Sequence, residues 1–199
     1  MRYDTIVRGG RIVTTSDDVT ADIGISEGRI AAIGTDLGTA DEIVDAAGLI
    51  VMPGGIDMHC HIAGPKVNVV RKLRPEEKRT AGHVRRTSRT HSGTLGSCPS
   101  TMATGYTYAG LGYTTAFDAA VPPLLARHAH QEMADTPCLD NGFYVLAGNN
   151  HYAMQALKRN DPVGLRNFLG WLLGATRGYA PKIVNPGGVE IWKHRPAGY

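Results

Sequence analysis

Two histidines separated by one residue, His59 and His61, are the side chains of this sequence best placed to do chemistry together. On a β-strand, residues two positions apart point to the same face, so both imidazoles could bind one metal ion. Cys60 between them points to the opposite face, where we expect it to pack rather than to bind metal. Asp57 is expected to share the histidines' face and to orient a ligand or close the strand end. Histidine pairs on strands are often purely structural, so the pair alone is a weak signal.

Lys182 is the second candidate, in an apolar segment that reads Ala-Pro-Lys-Ile-Val over residues 180–184. A charged amine is costly in such surroundings unless it has a partner. The simplest interpretation is therefore a lysine paired with a carboxylate, and a functional amine is the alternative.

The elements that must position these residues change character along the chain. Residues 1–52 predict four or five short strands with glycine-containing turns, which indicates a small β-sandwich. Beyond residue 53, strands alternate with helices, which is typical of βα units and a parallel sheet. The predicted strands cover residues 53–62, 113–119, 142–147 and 179–184, and the predicted helices cover residues 99–111, 122–134, 150–157 and 162–176.

This order predicts an α/β fold in two domains, a β-sandwich over residues 1–52 and the first half of a (β/α)₈ barrel over residues 53–199. A closed barrel needs eight strands and about 250 residues, whereas four strands are predicted here. We therefore expect a truncated barrel, and a half-length α/β fold of another kind is the alternative. In such barrels the active site lies at the carboxyl ends of the strands, where His59 and His61 fall, and Lys182 lies on the fourth predicted strand.

Composition excludes several classes of protein. Hydrophobic residues make up 42% and charged residues 20% of the 199 residues, as in soluble globular proteins. No apolar run is long enough to span a membrane and no secretory signal opens the chain, and the three cysteines are too few and too scattered for a disulfide framework. A cytoplasmic protein is expected. Phosphate-binding glycine loops and CxxC pairs are absent from the sequence, and His128 and His130 fall on a helix at a spacing that does not face one site.

The positive charge is concentrated in one segment. Residues 71–91 carry a net charge of +6, which leaves −3 for the remainder of the chain. Such a run is a solvated loop or a surface that attracts an anionic ligand or a neighbouring subunit. Nucleic acid is disfavoured, because no aromatic side chains are interleaved with the basic ones.

The motifs around these residues resemble those of the amidohydrolase superfamily. A strand-rich start, then Val-Met-Pro-Gly-Gly-Ile-Asp over residues 51–57, then His-Cys-His is the shared pattern, and the opening segments are similar to those of dihydropyrimidinases and hydantoinases. From residue 63 onward the sequence instead resembles the A subunits of formylmethanofuran dehydrogenases and of formyltransferase/hydrolase complexes. The segments that carry this resemblance include residues 63–68, 99–106, 111–115, 121–128 and 183–188.

The resemblance implies a site with two divalent metal ions, most simply zinc, and a specific chemistry. His59 and His61 would be metal ligands, and Lys182 on the fourth barrel strand would be carboxylated by CO₂ to a carbamate that bridges the ions. The reaction would be hydrolysis, or the reverse formation, of the N-formyl group of formylmethanofuran or an analogue in one-carbon metabolism. The general base, an aspartate, is expected beyond residue 199. Substrate contacts are implied for Lys66, Asn68 and Asn185.

The resemblance also implies partner subunits in a hetero-oligomeric complex. A cyclic-amide hydrolase of the dihydropyrimidinase type is the alternative function, with the same metal site and another substrate. An inactive fragment or a scaffold subunit is the alternative from a different class.

Overall fold

The computed structural model describes residues 2–73, 99–148 and 150–184, and for residues 65, 66, 71 and 72 it describes the backbone alone. Most of the basic segment, as well as Asn185, therefore lies outside the described residues. The chain divides into two compact units, Met1–Gly54 and Gly55–Tyr199.

The first unit is one mixed five-stranded sheet. Its strand order is β3-β2-β1-β4, with β5 also paired to β1; β1 is antiparallel to β2 and parallel to β4 and β5. The predicted sandwich is not confirmed, because the described residues of this unit form a single sheet. The strands are β1 (Arg2–Val13), β2 (Asp18–Ser26), β3 (Arg29–Gly34), β4 (Thr39–Asp45) and β5 (Ile50–Val51).

A glycine pair, Gly9 and Gly10, lets β1 run as one strand of 12 residues. The register of β1 on β2 shifts between Val7 and Gly10, and Gly9 has a positive φ of 69°. A side chain at Gly10 would meet Val51 at 2.5 Å. The bulge therefore needs residues without a Cβ atom, and the buried Asp22 carboxylate accepts the Gly9 N–H at 2.8 Å.

The second unit carries a parallel four-stranded sheet in the order β6-β7-β8-β9, with helices between the strands. This confirms the predicted half-barrel arrangement and places Lys182 on its fourth strand. The strands are β6 (Gly55–Cys60), β7 (Tyr113–Val121), β8 (Asp140–Leu146) and β9 (Ala180–Lys182). The helices are α1 (Pro65–Leu73), α2 (Thr101–Gly110), α3 (Ala126–Ala134), α4 (His151–Lys158) and α5 (Pro162–Thr176), and a 3₁₀ turn, Pro123–Leu125, precedes α3.

Local signals explain most of the helix boundaries. Ser100, Asn150 and Asp161 each accept a backbone N–H in the first turn of the helix that follows, and proline is the first residue of α5. The α1 helix was not predicted, since the sequence after His61 indicates a basic loop.

The core of the second unit lies between its sheet and its helices. Phe143 and Val145 of β8 are almost fully buried and pack with apolar side chains of α3 and α5. Gly105 of α2 lies so close to Pro137 that an added Cβ would come within 2.1 Å of the Pro137 carbonyl oxygen. In the parts of the chain that the structure describes, no helix is long and apolar enough to cross a membrane.

Candidate functional site

The two histidines lie at the carboxyl end of β6. His59 is within the strand and His61 follows its last residue, and both are exposed. Their rings are nearly perpendicular, with centroids 5.9 Å apart. The sheet is parallel, so this edge also holds the carboxyl ends of β7, β8 and β9.

Lys182 meets His59 at this edge. Its Nζ atom lies 3.5 Å from His59 Nδ1, although the two residues are 123 positions apart in the sequence. The Lys182 carbonyl accepts the N–H groups of Ala147 and Gly148, which holds the end of β9 against the end of β8. Among the described residues no carboxylate forms an ion pair with Lys182. The structure places the Lys182 amine beside His59 and the His59 ring beside His61, which are the three residues that the resemblance implies as metal ligands.

A residue that sequence reasoning missed, Asp118 of β7, lies beside them. Its side chain is nearly fully buried, and Oδ2 accepts the N–H groups of Ile62 at 3.0 Å and Ala63 at 3.1 Å. Its Oδ1 accepts the Ala120 N–H at 3.2 Å and lies 3.7 Å from His61 Nδ1. The available signal was an ionisable residue in an otherwise apolar strand, since such residues are rarely buried without a partner.

The position of Asp57 corrects the prediction that its side chain shares a face with His59 and His61. The pairing of β6 with β7 is irregular between Asp57 and Cys60, and this irregularity breaks the alternation of side chains. As a result Asp57 lies on the helix side of the strand with Cys60, where its Oδ2 accepts the Tyr108 hydroxyl at 2.8 Å. Its Oδ1 accepts the His59 N–H at 3.0 Å, so Asp57 shapes the end of the strand through the backbone.

Cys60 packs in the core, as predicted. It is 7% exposed, belongs to the main apolar cluster and donates its thiol to the Phe117 carbonyl. Burial raises the pKa of the Cys60 thiol to about 12. Burial, together with the hydrogen bond to Asp57, likewise raises the pKa of Tyr108 far above its usual range.

The residues predicted to contact substrate have mixed placements. Asn68 lies on α1 and its amide donates to Glu132 of α3, within 3.4 Å of His128 Nε2. Lys66 lies on the same helix, and only its backbone is described. Asn185 is outside the described residues.

The other two histidines singled out in the sequence do not share a site. His128 contacts Glu132 at 3.1 Å, whereas His130 Nε2 meets the Thr176 carbonyl at 3.0 Å and its ring lies against Phe143. This confirms that they point to different partners.

The two imidazoles at the end of β6 fit part of a zinc site. Zinc takes imidazole nitrogens at about 2.0–2.1 Å and uses three or four protein ligands. Two imidazoles with ring centroids 5.9 Å apart supply part of such a set, whereas the neighbouring Lys182 amine as it stands is not one of these ligand types. Within residues 2–73, 99–148 and 150–184, no three or more His, Cys, Asp or Glu side chains are grouped to hold a metal ion.

Comparison with known proteins gives consistent matches. The chain is 46% identical over 171 residues to protein FwdA of Methanocaldococcus jannaschii, covering 86% of this chain and 29% of that protein. It is 35% identical over 196 residues to the A component of the formyltransferase/hydrolase complex Fhc of Methylorubrum extorquens, covering 95% of this chain and 34% of that component. The chain thus spans about a third of the length of these curated relatives.

Two solved structures also match this chain. The crystal structure of the FhcABCD complex of Methylorubrum extorquens with methylofuran matches with a TM-score of 0.78 and 33% identity, over 95% of this chain and 34% of that one. Dihydropyrimidinase from Brevibacillus agri matches with a TM-score of 0.53 and 24% identity, over 79% of this chain and 31% of that one, which shows a shared fold alone.

The family model described as "Amidohydrolase family" matches residues 42–195, a range that includes β6 to β9 and both candidate histidines. The chain belongs to the amidohydrolase family.

Proposed function

We propose that this chain is the metal-binding, N-terminal part of an amidohydrolase that hydrolyses, or in reverse forms, the N-formyl amide of a one-carbon carrier amine. Formylmethanofuran or an analogue is the proposed substrate. The observation that carries the proposal is the meeting of Lys182 with His59, beside His61, at the carboxyl edge of a parallel sheet.

Each side chain has a proposed task. His59 and His61 bind metal, and the Lys182 amine reacts with CO₂ to form a carbamate with release of one proton. The carbamate is an anion with two oxygens, so it suits a position between two divalent ions, which we propose to be zinc. Bound ions would polarise the formyl carbonyl and acidify water. Asp57 holds the His59 backbone in place.

The choice of a formyl amide over a cyclic amide rests on the sequence identity, which is 46% to FwdA and 35% to the A component of Fhc but 24% to the dihydropyrimidinase. FwdA and the A component of Fhc match over 86% and 95% of this chain, whereas the dihydropyrimidinase supports the fold alone. The Methylorubrum homologue is part of a multi-subunit complex, so we propose hetero-oligomeric partners for this chain as well.

Substitution of Lys182 tests the proposal. In the purified protein with its co-purifying subunits, Lys182→Ala should abolish formate release from the N-formyl amine and remove most of the bound metal. A short carboxylic acid in the buffer should restore part of both by taking the place of the carbamate. Lys182→Arg should restore neither, because a guanidinium stays cationic and does not form a carbamate.

Lys158→Ala is the matched control, since Lys158 is an exposed lysine at the end of α4. Metal content by elemental analysis and formate release are the two measurements, and a cyclic amide is assayed alongside the formyl amide. An active, metal-loaded protein whose Lys182 has the mass of an unmodified lysine would refute the carbamate. Turnover of the cyclic amide alone would favour the dihydropyrimidinase alternative, and full metal loading without turnover of either would favour a scaffold.

A further inference from the structure

Asp118 presents a buried carboxylate whose burial needs an explanation. The residue is 1% exposed, on the central part of an apolar strand. Burying a carboxylate is costly unless it is hydrogen-bonded or paired. Three backbone N–H groups provide part of the compensation, and two of them belong to Ile62 and Ala63, directly after His61.

The imidazole of His61 is a further polar neighbour. Its Nδ1 lies 3.7 Å from Asp118 Oδ1, about 0.8 Å longer than a usual N–H···O bond. Among the described residues no lysine or arginine pairs with Asp118. Asp118 is thus placed both to hold the backbone that follows His61 and to act as a hydrogen-bond acceptor for the Nδ1–H group of its ring.

The tautomer of His61 depends on this neighbour. A neutral imidazole carries one proton, on either Nδ1 or Nε2, and the hydrogen bond made by one nitrogen decides which nitrogen is left to bind a metal. A carboxylate acceptor beside Nδ1 favours the proton there. The lone pair of Nε2 then remains available.

We propose that Asp118 is a positioning residue for His61, which selects the Nδ1–H tautomer and so presents Nε2 to a metal ion. The proposal rests on the proposed function, in which His61 is a metal ligand. A purely structural Asp118 would explain its three backbone hydrogen bonds, but it would predict no effect on the ring of His61.

Asp118→Asn separates these roles. Asparagine keeps one carbonyl oxygen for the Ile62 and Ala63 N–H groups. Its NH₂ group replaces the second oxygen and can accept neither from His61 Nδ1 nor from the Ala120 N–H, so some loss of stability is expected beside the change at His61. Zinc affinity, measured by competition with a chromophoric chelator, should fall about 10- to 100-fold. In the metal-free protein, NMR of the histidine ring nitrogens should show the Nδ1–H form of His61 in the native protein and a shift toward Nε2–H in the variant.

Asp22→Asn is the matched control. Asp22 is 8% exposed and accepts a backbone N–H from Gly9 in the first unit. Its substitution should lower stability without changing zinc affinity or the His61 tautomer.

Three results would overturn the proposal. One is an Nε2–H tautomer of His61 in the native metal-free protein, a measurement that does not require any variant to fold. Another is Asp118→Asn that loses stability while the tautomer stays the same, and the third is a changed tautomer with unchanged zinc affinity. Undiminished zinc binding by His61→Ala would instead refute His61 as a ligand in the proposed function, while the tautomer experiment still decides whether Asp118 orients the ring.

Discussion

The two units differ in what several of their carboxylates contact, although the buried Asp22 of the first unit also accepts a backbone N–H, from Gly9. In the first unit several of them pair with arginines at the surface, as Asp41 does with Arg2 and Asp18 with Arg11. In the second unit carboxylates from three different elements accept backbone N–H groups of residues 59–64. These are Asp57 for His59, Asp118 for Ile62 and Ala63, and Glu132 for Gly64.

The two kinds of contact differ in what they contribute to the stability of the fold. Exposed ion pairs contribute little to stability, whereas a buried carboxylate is tolerated only when its hydrogen bonds are satisfied. The segment held in this way contains both candidate metal ligands. A rigid backbone at residues 59–64 is what a metal site built on His59 and His61 requires.

The largest expected effect comes from removing the buried carboxylate entirely. Asp118→Ala removes the carboxylate that accepts the N–H groups of Ile62, Ala63 and Ala120, at a cost of about 1–3 kcal/mol for each buried hydrogen bond that is lost. Asp41→Ala removes an exposed partner of Arg2 and should change the free energy of unfolding by less than about 0.5 kcal/mol. Urea denaturation of both variants gives the two values, and equal losses would break the comparison between the units.

A second prediction concerns the packing behind the site. Gly105→Ala places a Cβ atom 2.1 Å from the Pro137 carbonyl oxygen, so the backbone must shift at a cost of about 1–3 kcal/mol. Gly110→Ala in the same helix meets no atom within 4 Å and should be neutral or stabilising by up to about 1 kcal/mol. Thermal unfolding of the two variants is the measurement, and a stable Gly105→Ala would show that α2 is loosely packed.

Thiol chemistry distinguishes the buried from the exposed part of the second unit. Burial raises the pKa of Cys60 to about 12 from an ordinary value of 9.0, whereas Cys138 is exposed. An alkylating reagent at pH 8 should therefore modify Cys138 and spare Cys60 until the protein unfolds. Mass spectrometry of the peptides reports this, and rapid labelling of Cys60 in the folded protein would contradict a buried strand end.

The same shift has a pH consequence. Because the folded-state pKa of Cys60 is raised, its contribution to stability is complete below pH 9 and is lost as the pH rises from about 9 to 12. Cys60→Ala should weaken this alkaline dependence.

The smallest effect is expected at the surface of the first unit. The hydrogen bond from Arg11 lowers the pKa of Asp18, so this pair stabilises the fold above the ordinary pKa of an aspartate, and the contribution is lost as the pH falls. Both side chains are exposed, so Asp18→Asn should hardly change the melting temperature at pH 7 in physiological salt. A large drop would mean that surface pairs matter as much in this unit as buried ones do in the other.

Local patterns in the sequence were sufficient for much of the fold. The alternation of apolar strands with capped helices predicted β7, β8 and the helices α2 to α5, because these signals lie within each segment. The meeting of Lys182 with His59 could also be predicted, since the carboxyl ends of parallel strands share one edge of the sheet. Their roles as metal ligands remain predictions.

Only the tertiary structure decided three other features. The irregular pairing of β6 with β7 turns Asp57 toward Tyr108, and a bulge is a property of two strands that neither strand reveals alone. The first unit has one described sheet where strand patterns suggested two layers, since alternation reports which face is apolar and not what covers it. Asp118 was missed in the sequence, because its partners, Ile62 and Ala63, lie 56 and 55 positions away and become its neighbours only when β6 and β7 pair.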